Sequence, residues 1–296
     1  MSTIDRLNGV TATDIASVDN HNASAIASIN GQSLVTASFL LDTYGANIAA
    51  AYSVRKLSSS YTGAAIRVRE TSGNTEADIG FDSNGNLDES ALTSHVGANT
   101  GYIAKWYDQS GNGNDVTQLA GTRQMWVVAA GTVKKLGTKV APEAFTSRTY
   151  YSTATAIAVT PPQTTVMVLN PTVTGGNYHA MGEDLTGTYR FGGHNDRLYL
   201  NGGSLISTAD GAIAQPHMIA VGLTNGASSY IRANGSELAT GNTSGNSYFI
   251  NSVFGPVNST SNMRGNMQEV LIYTADKSTD IAAIETDINT YFSIYP

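Results

Sequence analysis

The chain has 296 residues, with 16 Lys and Arg against 23 Asp and Glu and a formal net charge of −7. Only 13% of residues are charged, about half the usual globular share. This excludes a basic nucleic-acid-binding surface and a Glu/Lys-faced helical bundle, while 41% apolar residues exclude wholesale disorder; with no cysteine, disulfides, thiolate catalysis and Cys-ligated zinc are excluded as well.

The N-terminus, Met1 to Arg6, lacks the basic stretch and apolar run of a secretory signal. No stretch approaches the ~18 apolar residues of a membrane span. Ile4-Asp5-Arg6-Leu7, Ile15-Ala16-Ser17-Val18 and Ile26-Ala27-Ser28-Ile29 recur at a spacing of eleven, and two of them continue into Asn8-Gly9 and Asn30-Gly31. Eleven is also the period of a right-handed helical supercoil, but Gly9, Gly31 and the Asn, Ser and Thr content disfavour a long helix. The units read as short turn-and-strand pieces that bury Ile and Val against a partner, because one unit cannot bury an apolar face alone. A frayed terminus is the alternative. Residues 1–35 are expected to form an attachment or assembly arm. Residues 36–296 are expected to form one sandwich domain, with no Pro/Gly linker dividing them.

A helix is expected from Gly45 to Leu57, where the alanines give high propensity. Ala65-Ile66-Arg67-Val68-Arg69 alternates as a strand does, and Asp78 to Phe81 forms another before a turn at Ser83-Asn84-Gly85-Asn86. A short helix is expected from Asp88, as N-cap, to His95. From Tyr102 onward strand follows strand, separated by Asn/Gly turns, through Met267 to Tyr273. A final helix starts after Asp280 and sets Ile281, Ile284, Ile288 and Phe292 at helical spacing. Ile284 and Ile288 are expected to be buried. The pattern predicts an all-β jelly-roll sandwich with a few short helices and a C-terminal helix packed on it.

Two stretches are specific enough to compare. One is Ala51-Tyr52-Ser53-Val54-Arg55-Lys56-Leu57 with Ser60 to Arg69; the other is Trp106-Tyr107-Asp108-Gln109-Ser110-Gly111-Asn112-Gly113-Asn114. Together they resemble the catalytic domain of family 54 α-L-arabinofuranosidases, which implies a concanavalin-A-like β-sandwich. The same pair also resembles bacteriophage virion proteins with a laminin-G-like half. The C-terminal Glu269 to Tyr273 with its helix, and the Asn-Gly units at the start, resemble such proteins too.

By its residues alone, the Trp106–Asn114 loop reads as a self-satisfied turn. Asp108 and Ser110 can bond nearby N–H groups, and Gly111 and Gly113 permit positive φ. Its oxygens would also suit a hard cation. Glycoside hydrolysis needs two carboxyl groups at a set separation. The loop acids are Glu70, Glu76, Asp82, Asp108, Asp115, Glu143, Glu183, Asp184 and Asp196. None falls in the nucleophile or acid motifs of the resembling enzymes, because the matching segments are scaffold. Glu183 and Asp184 are the most suggestive pair, yet neighbours on a strand point to opposite faces. The five His residues (21, 95, 179, 194 and 217) show no metal-binding spacing, and no metal or cofactor is expected. The hairpin Tyr189 to Tyr199 offers aromatic faces beside His194, Asn195, Asp196 and Arg197, a candidate carbohydrate-binding set.

The expectation is therefore a non-enzymatic surface protein of a tailed-phage virion, a tail fibre, head fibre or capsid decoration, with no catalytic residues. Its partners would be other virion proteins through the arm and host-surface glycans, with a homo-oligomer, such as a trimer, as its assembly. Neither nucleic acid nor a membrane is an expected partner. The alternatives are a glycoside hydrolase of the α-L-arabinofuranosidase kind and a cellular lectin.

Overall fold

The computed structural model describes residues 6–7, 10–11, 17–18, 21–22, 28–29, 32–33, 38–172, 177–182, 189–194, 197–212, 217–256 and 261–296. The chain divides into two units, 1–39 and 40–296. In the first, Arg6–Leu7 pairs with Val10–Thr11, Ser17–Val18 with His21–Asn22, and Ser28–Ile29 with Gln32–Ser33, each antiparallel. The eleven-residue repeat is thus a repeat of miniature hairpins. What their apolar side chains pack against lies outside the described residues.

The second unit opens with helix α1 (Leu40–Tyr44) and strand β1 (Ile48–Ser53). The helix expected over 45–57 is therefore a correction. Ala50, Ala51 and Tyr52 are wholly buried, and the segment completes a ladder along Glu269 to Tyr273. The long strand there needs partners for its backbone groups, and that need overrides alanine's helical propensity.

Strands β2 (Ile66–Glu70), β3 (Glu76–Ile79), β4 (Gly101–Trp106) and β5 (Trp126–Ala129) follow. Helix α2 (Glu89–Val96) comes between β3 and β4, and Asp88 caps it, accepting from Ala91 N at 2.9 Å as expected. Then come β6 (Tyr151–Val159), β7 (Gln163–Pro171), β8 (Asn177–Gly182), β9 (Tyr189–His194) and β10 (Arg197–Gly202). The set ends with β11 (Met218–Thr224), β12 (Ser229–Ala233), β13 (Ser236–Gly241), β14 (Tyr248–Val253), β15 (Gly265–Tyr273) and helix α3 (Ile281–Phe292).

These strands form two antiparallel layers. The first runs β13-β12-β11-β7-β15-β1. The second runs β3-β2-β4, passes through Val116–Thr117 to β6, and continues β14-β8-β9-β10. The short strand Glu143–Ala144 pairs with both β5 and β15 and joins the layers. Between the layers the Tyr189 hydroxyl meets Thr165 Oγ1 at 2.9 Å, and Tyr248 donates to Gln163 Oε1 at 2.8 Å. The two tyrosine rings stack with centroids 4.5 Å apart. This is the expected sandwich.

All nine residues of β15 are buried, because α3 covers the outer face of the first layer. Ile284 and Ile288 are fully buried, as their spacing predicted. Arg55 reaches Glu269 of β15 at 2.8 Å and Asp287 of α3 at 2.7 Å. Burial works against the Arg55 charge, but the two carboxylates outweigh it and hold its pKa above the ordinary value. Asp280 does not cap α3 with its side chain; its carboxylate pairs with Lys277 instead, at 3.1 Å.

The Trp106 loop is a scaffold. Asp108 Oδ1 accepts from Ala51 N and Ser110 N, and Oδ2 from Asn114 N and Ser110 Oγ. Asn112 and Asn114 donate to the carbonyls of Ile48 and Ala49. Gly111 and Gly113 have φ of 86° and 74°, where a side chain would be strained. The loop thus staples β1 to β4, and Trp106 stacks on Phe254 beneath it.

Candidate functional site

Strands β8, β9 and β10 form an antiparallel meander in which Gly192 lies opposite both His179 and Tyr199. Alternation sends Tyr189 and Phe191 into the core, where both are fully buried. Arg190 and Gly192 occupy the opposite face, on the same side as His179 and Tyr199. A Cβ at Gly192 would come within 2.1 Å of the Tyr178 carbonyl and 2.8 Å of the Tyr199 hydroxyl. Only glycine admits this close crossing.

Tyr199 donates to the Tyr178 carbonyl at 2.8 Å, and its oxygen also meets His179 Nδ1 in a short hydrogen bond. Since the phenol proton is used on the carbonyl, Nδ1 supplies the proton of the second bond. Burial, reinforced by the positive charge of Arg190, pushes the His179 pKa down to about 4. A neutral imidazole, a phenol and a guanidinium therefore share one sheet face. Such a set can orient sugar hydroxyls as donor and acceptor; it cannot by itself cleave a glycosidic bond, which needs carboxyl groups.

Of the four residues named from sequence, Arg197 pairs with Asp210 at 3.2 Å. His194 is its cross-strand partner in the backbone ladder. The His194 side chain, Asn195 and Asp196 lie outside the described residues, as do Glu183 and Asp184. Sequence reasoning missed His179 and Tyr199. The Gly192-Gly193 pair inside a strand was the available signal, since such glycines mark close approaches.

The other loop acids divide clearly. Glu70 accepts from the N–H groups of Ser72, Gly73 and Thr75. Asp82 accepts from Asn84 N and Asn86 N, Asp115 from Asp108 N, and Glu143 pairs with Lys134 at 2.6 Å. Each closes its own loop or strand end. Among the described residues no group of three His, Asp or Glu could hold a metal ion. No described helix is long and apolar enough to cross a membrane.

Comparison with known proteins settles what this sandwich is like. A family model described as alpha-L-arabinofuranosidase B, catalytic, matches residues 41–164. An arabinofuranosidase solved with arabinofuranosyl-alpha-1,2-xylobiose superposes with a TM-score of 0.67 at 18% identity, covering 86% of this chain and 65% of that one. The fold is a β-sandwich like that of an arabinofuranosidase catalytic domain. A GH54 α-L-arabinofuranosidase soaked with a cyclic sulfate inhibitor gives 0.60 at 19% identity, covering 82% of this chain and 62% of that one. A glutamate-to-glutamine mutant of such an enzyme, soaked with 4-nitrophenyl α-L-arabinofuranoside, gives 0.60 at 18%, covering 83% and 63%. The chain spans just under two thirds of the length of these structures. A search of curated sequences finds no match.

These findings correct the virion expectation. The family model and the superposed structures are arabinofuranosidases, and no phage protein stands among them. The tail-fibre, head-fibre and capsid-decoration reading falls with it, and so does the expectation of a non-enzyme. The scaffold segments are shared by both resemblances and carry no catalytic loop, so by themselves they do not distinguish the two.

Proposed function

We propose that the chain is a glycoside hydrolase that removes α-L-arabinofuranosyl groups from a polysaccharide. The observation that carries this reading is the arabinofuranosidase catalytic model over residues 41–164, on a sandwich superposing over 86% of the chain. The chemistry requires two carboxyl groups, one donating a proton to the leaving oxygen and one acting as nucleophile or as base for water. Glu70, Asp82, Asp108, Asp115 and Glu143 are each held by local donors, and Glu76 lies within β3 opposite Arg69, which leaves Glu183, Asp184 and Asp196 as the loop acids to carry it. Glu183 and Asp184 follow directly on Gly182, the last residue of the strand that carries His179. His179 and Tyr199 are assigned to sugar hydroxyls.

The test is release of 4-nitrophenol from 4-nitrophenyl α-L-arabinofuranoside, and of arabinose from arabinan. Turnover is expected, with kcat lowered by about 10²–10⁴ in Glu183→Gln, the range for loss of a general acid or base, and with melting unchanged. No release above buffer by the natural chain would overturn the reading. Turnover left intact in Glu183→Gln, Asp184→Asn and Asp196→Asn alike would overturn the site assignment.

A further inference from the structure

The outer face of the second layer carries a cleft that the hydrolase reading does not use. Tyr102 on β4 lies opposite Arg69 on β2 and Trp126 on β5, so three outward side chains form a row across the strands. Phe145, just after the Glu143–Ala144 bridge, stacks on Trp126 with centroids 4.7 Å apart and planes at 29°. Both rings stand 6.4 Å from that of Tyr102. The Arg69 guanidinium lies 5.0 Å from the Tyr102 ring centre. Gln124 Oε1 and Asn74 Oδ1 hold it there at 3.0 and 2.8 Å. The cleft has a volume of about 680 Å³ with Thr71, Asn74 and Thr122 in its lining, within the ~300–1,000 Å³ of small-ligand sites.

A row of rings edged by a guanidinium, an amide and two hydroxyls suits a ligand with an apolar face and a polar rim. A pyranose is built that way: C–H groups line its faces, and hydroxyls ring its edge. The negative faces of aromatic rings attract those C–H groups, and the rim supplies fixed donors and acceptors. Glu76 lies directly opposite Arg69 in the β2–β3 ladder, and with a net charge of −7 this favours a neutral sugar over an acidic one. Trp126 Nε1 is buried without a hydrogen-bond partner, while Phe145 above it is 38% exposed.

We propose that this cleft is a non-catalytic binding site for a neutral, equatorially hydroxylated pyranosyl chain, gripped by Tyr102 and Phe145 and positioned by Arg69. The site stands independently of the hydrolase reading. The test is titration of the full chain with xylohexaose and with cellohexaose, followed by calorimetry and tryptophan fluorescence. Of the two tryptophans, Trp106 is fully buried, so a change in emission reports Trp126. Saturable binding of at least one hexaose is expected, weakened tenfold or more in Tyr102→Ala and Phe145→Ala. The fluorescence response should vanish in Trp126→Phe. Phe249→Ala, at a 50% exposed aromatic outside the cleft lining, should bind as the natural chain does. Should Tyr102→Ala fail to fold, Phe145→Leu at its part-exposed position gives the same comparison. No saturable binding of either hexaose, equal affinity in the folded cleft variants, or tighter binding of hexagalacturonate would each overturn the proposal. Hydrolysis of the aryl arabinofuranoside by Tyr102→Ala is expected at the natural rate, so each reading can fail without the other.

Discussion

The same fork of arginine on carboxylate occurs on both layers of the sandwich, in opposite surroundings. Arg55 grips Glu269 at 2.8 and 3.0 Å beneath α3, with side chains 8% and 1% exposed. Arg67 grips Asp78 at 2.7 and 2.9 Å across β2 and β3, with side chains 40% and 44% exposed. The geometry of the two forks is nearly identical, and their cover differs. Beneath a helix, removing one partner leaves a charge that water cannot reach. In the open, solvent and salt replace whatever is lost. The covered face therefore uses its polar groups to hold the fold. Both binding regions argued above, the His179–Tyr199 face and the Tyr102 cleft, lie on the uncovered layer.

The covered fork should give the largest effect. Glu269→Gln keeps the shape and removes the charge that Arg55 and the Ser53 hydroxyl both use. A loss of about 3–5 kcal/mol in urea unfolding is expected, the range for breaking a buried pair. A loss below ~1 kcal/mol would mean that Asp287 alone suffices for Arg55, and the contrast between the layers would collapse.

A smaller effect is expected from a strongly shifted imidazole on the uncovered layer. His179 titrates at about 4 when folded, against about 6.5 in an unfolded chain. Between those values the unfolded state binds more protons, so stability falls as pH drops from about 6.5 through 4. Burial lowers His217 in the same direction, although its bond to Gln268 opposes the shift. Since His179 is partly solvated, its share is about 2 kcal/mol. Urea titrations at pH 7 and pH 4 should show a smaller difference in His179→Gln than in the natural chain. An identical difference would take the imidazole out of the argument.

Alternation made most of this fold legible. Strands such as Ile66–Glu70 and Gly101–Trp106 show their buried and outward positions directly, and the spacing of Ile284 and Ile288 located the face of α3. Ile48–Ser53 misled because its alanines are small for packing, not for helix formation. Its partner strand lies more than 200 residues away, and propensity carries no trace of such pairing. Ser236–Gly241 carries little strand signal, because its residues are largely exposed and present no apolar face. The site was less legible still. Tyr199 and His179 are twenty residues apart and meet only because β8 and β10 pair with β9 on opposite sides of Gly192. Arg197, chosen for its place in a polar turn, pairs with Asp210, a partner that lies outside the hairpin and that the local pattern does not show.

The smallest effect belongs to the exposed fork, and it is the sharpest control on the comparison. A double-mutant cycle with Arg67→Ala and Asp78→Ala should give a coupling of about 0.2–1 kcal/mol, as exposed pairs do. Raising the salt to 0.5 M should reduce it, because the Debye length then falls well below 8 Å. Tyr107 complicates the cycle, since its hydroxyl donates to Asp78 Oδ1 at 2.7 Å. Repeating it in a Tyr107→Phe background separates the phenol's share from the guanidinium's. Should the coupling reach 3 kcal/mol in that background and resist salt, exposure would not be what divides the two forks, and their bidentate geometry would have to explain the strength of both.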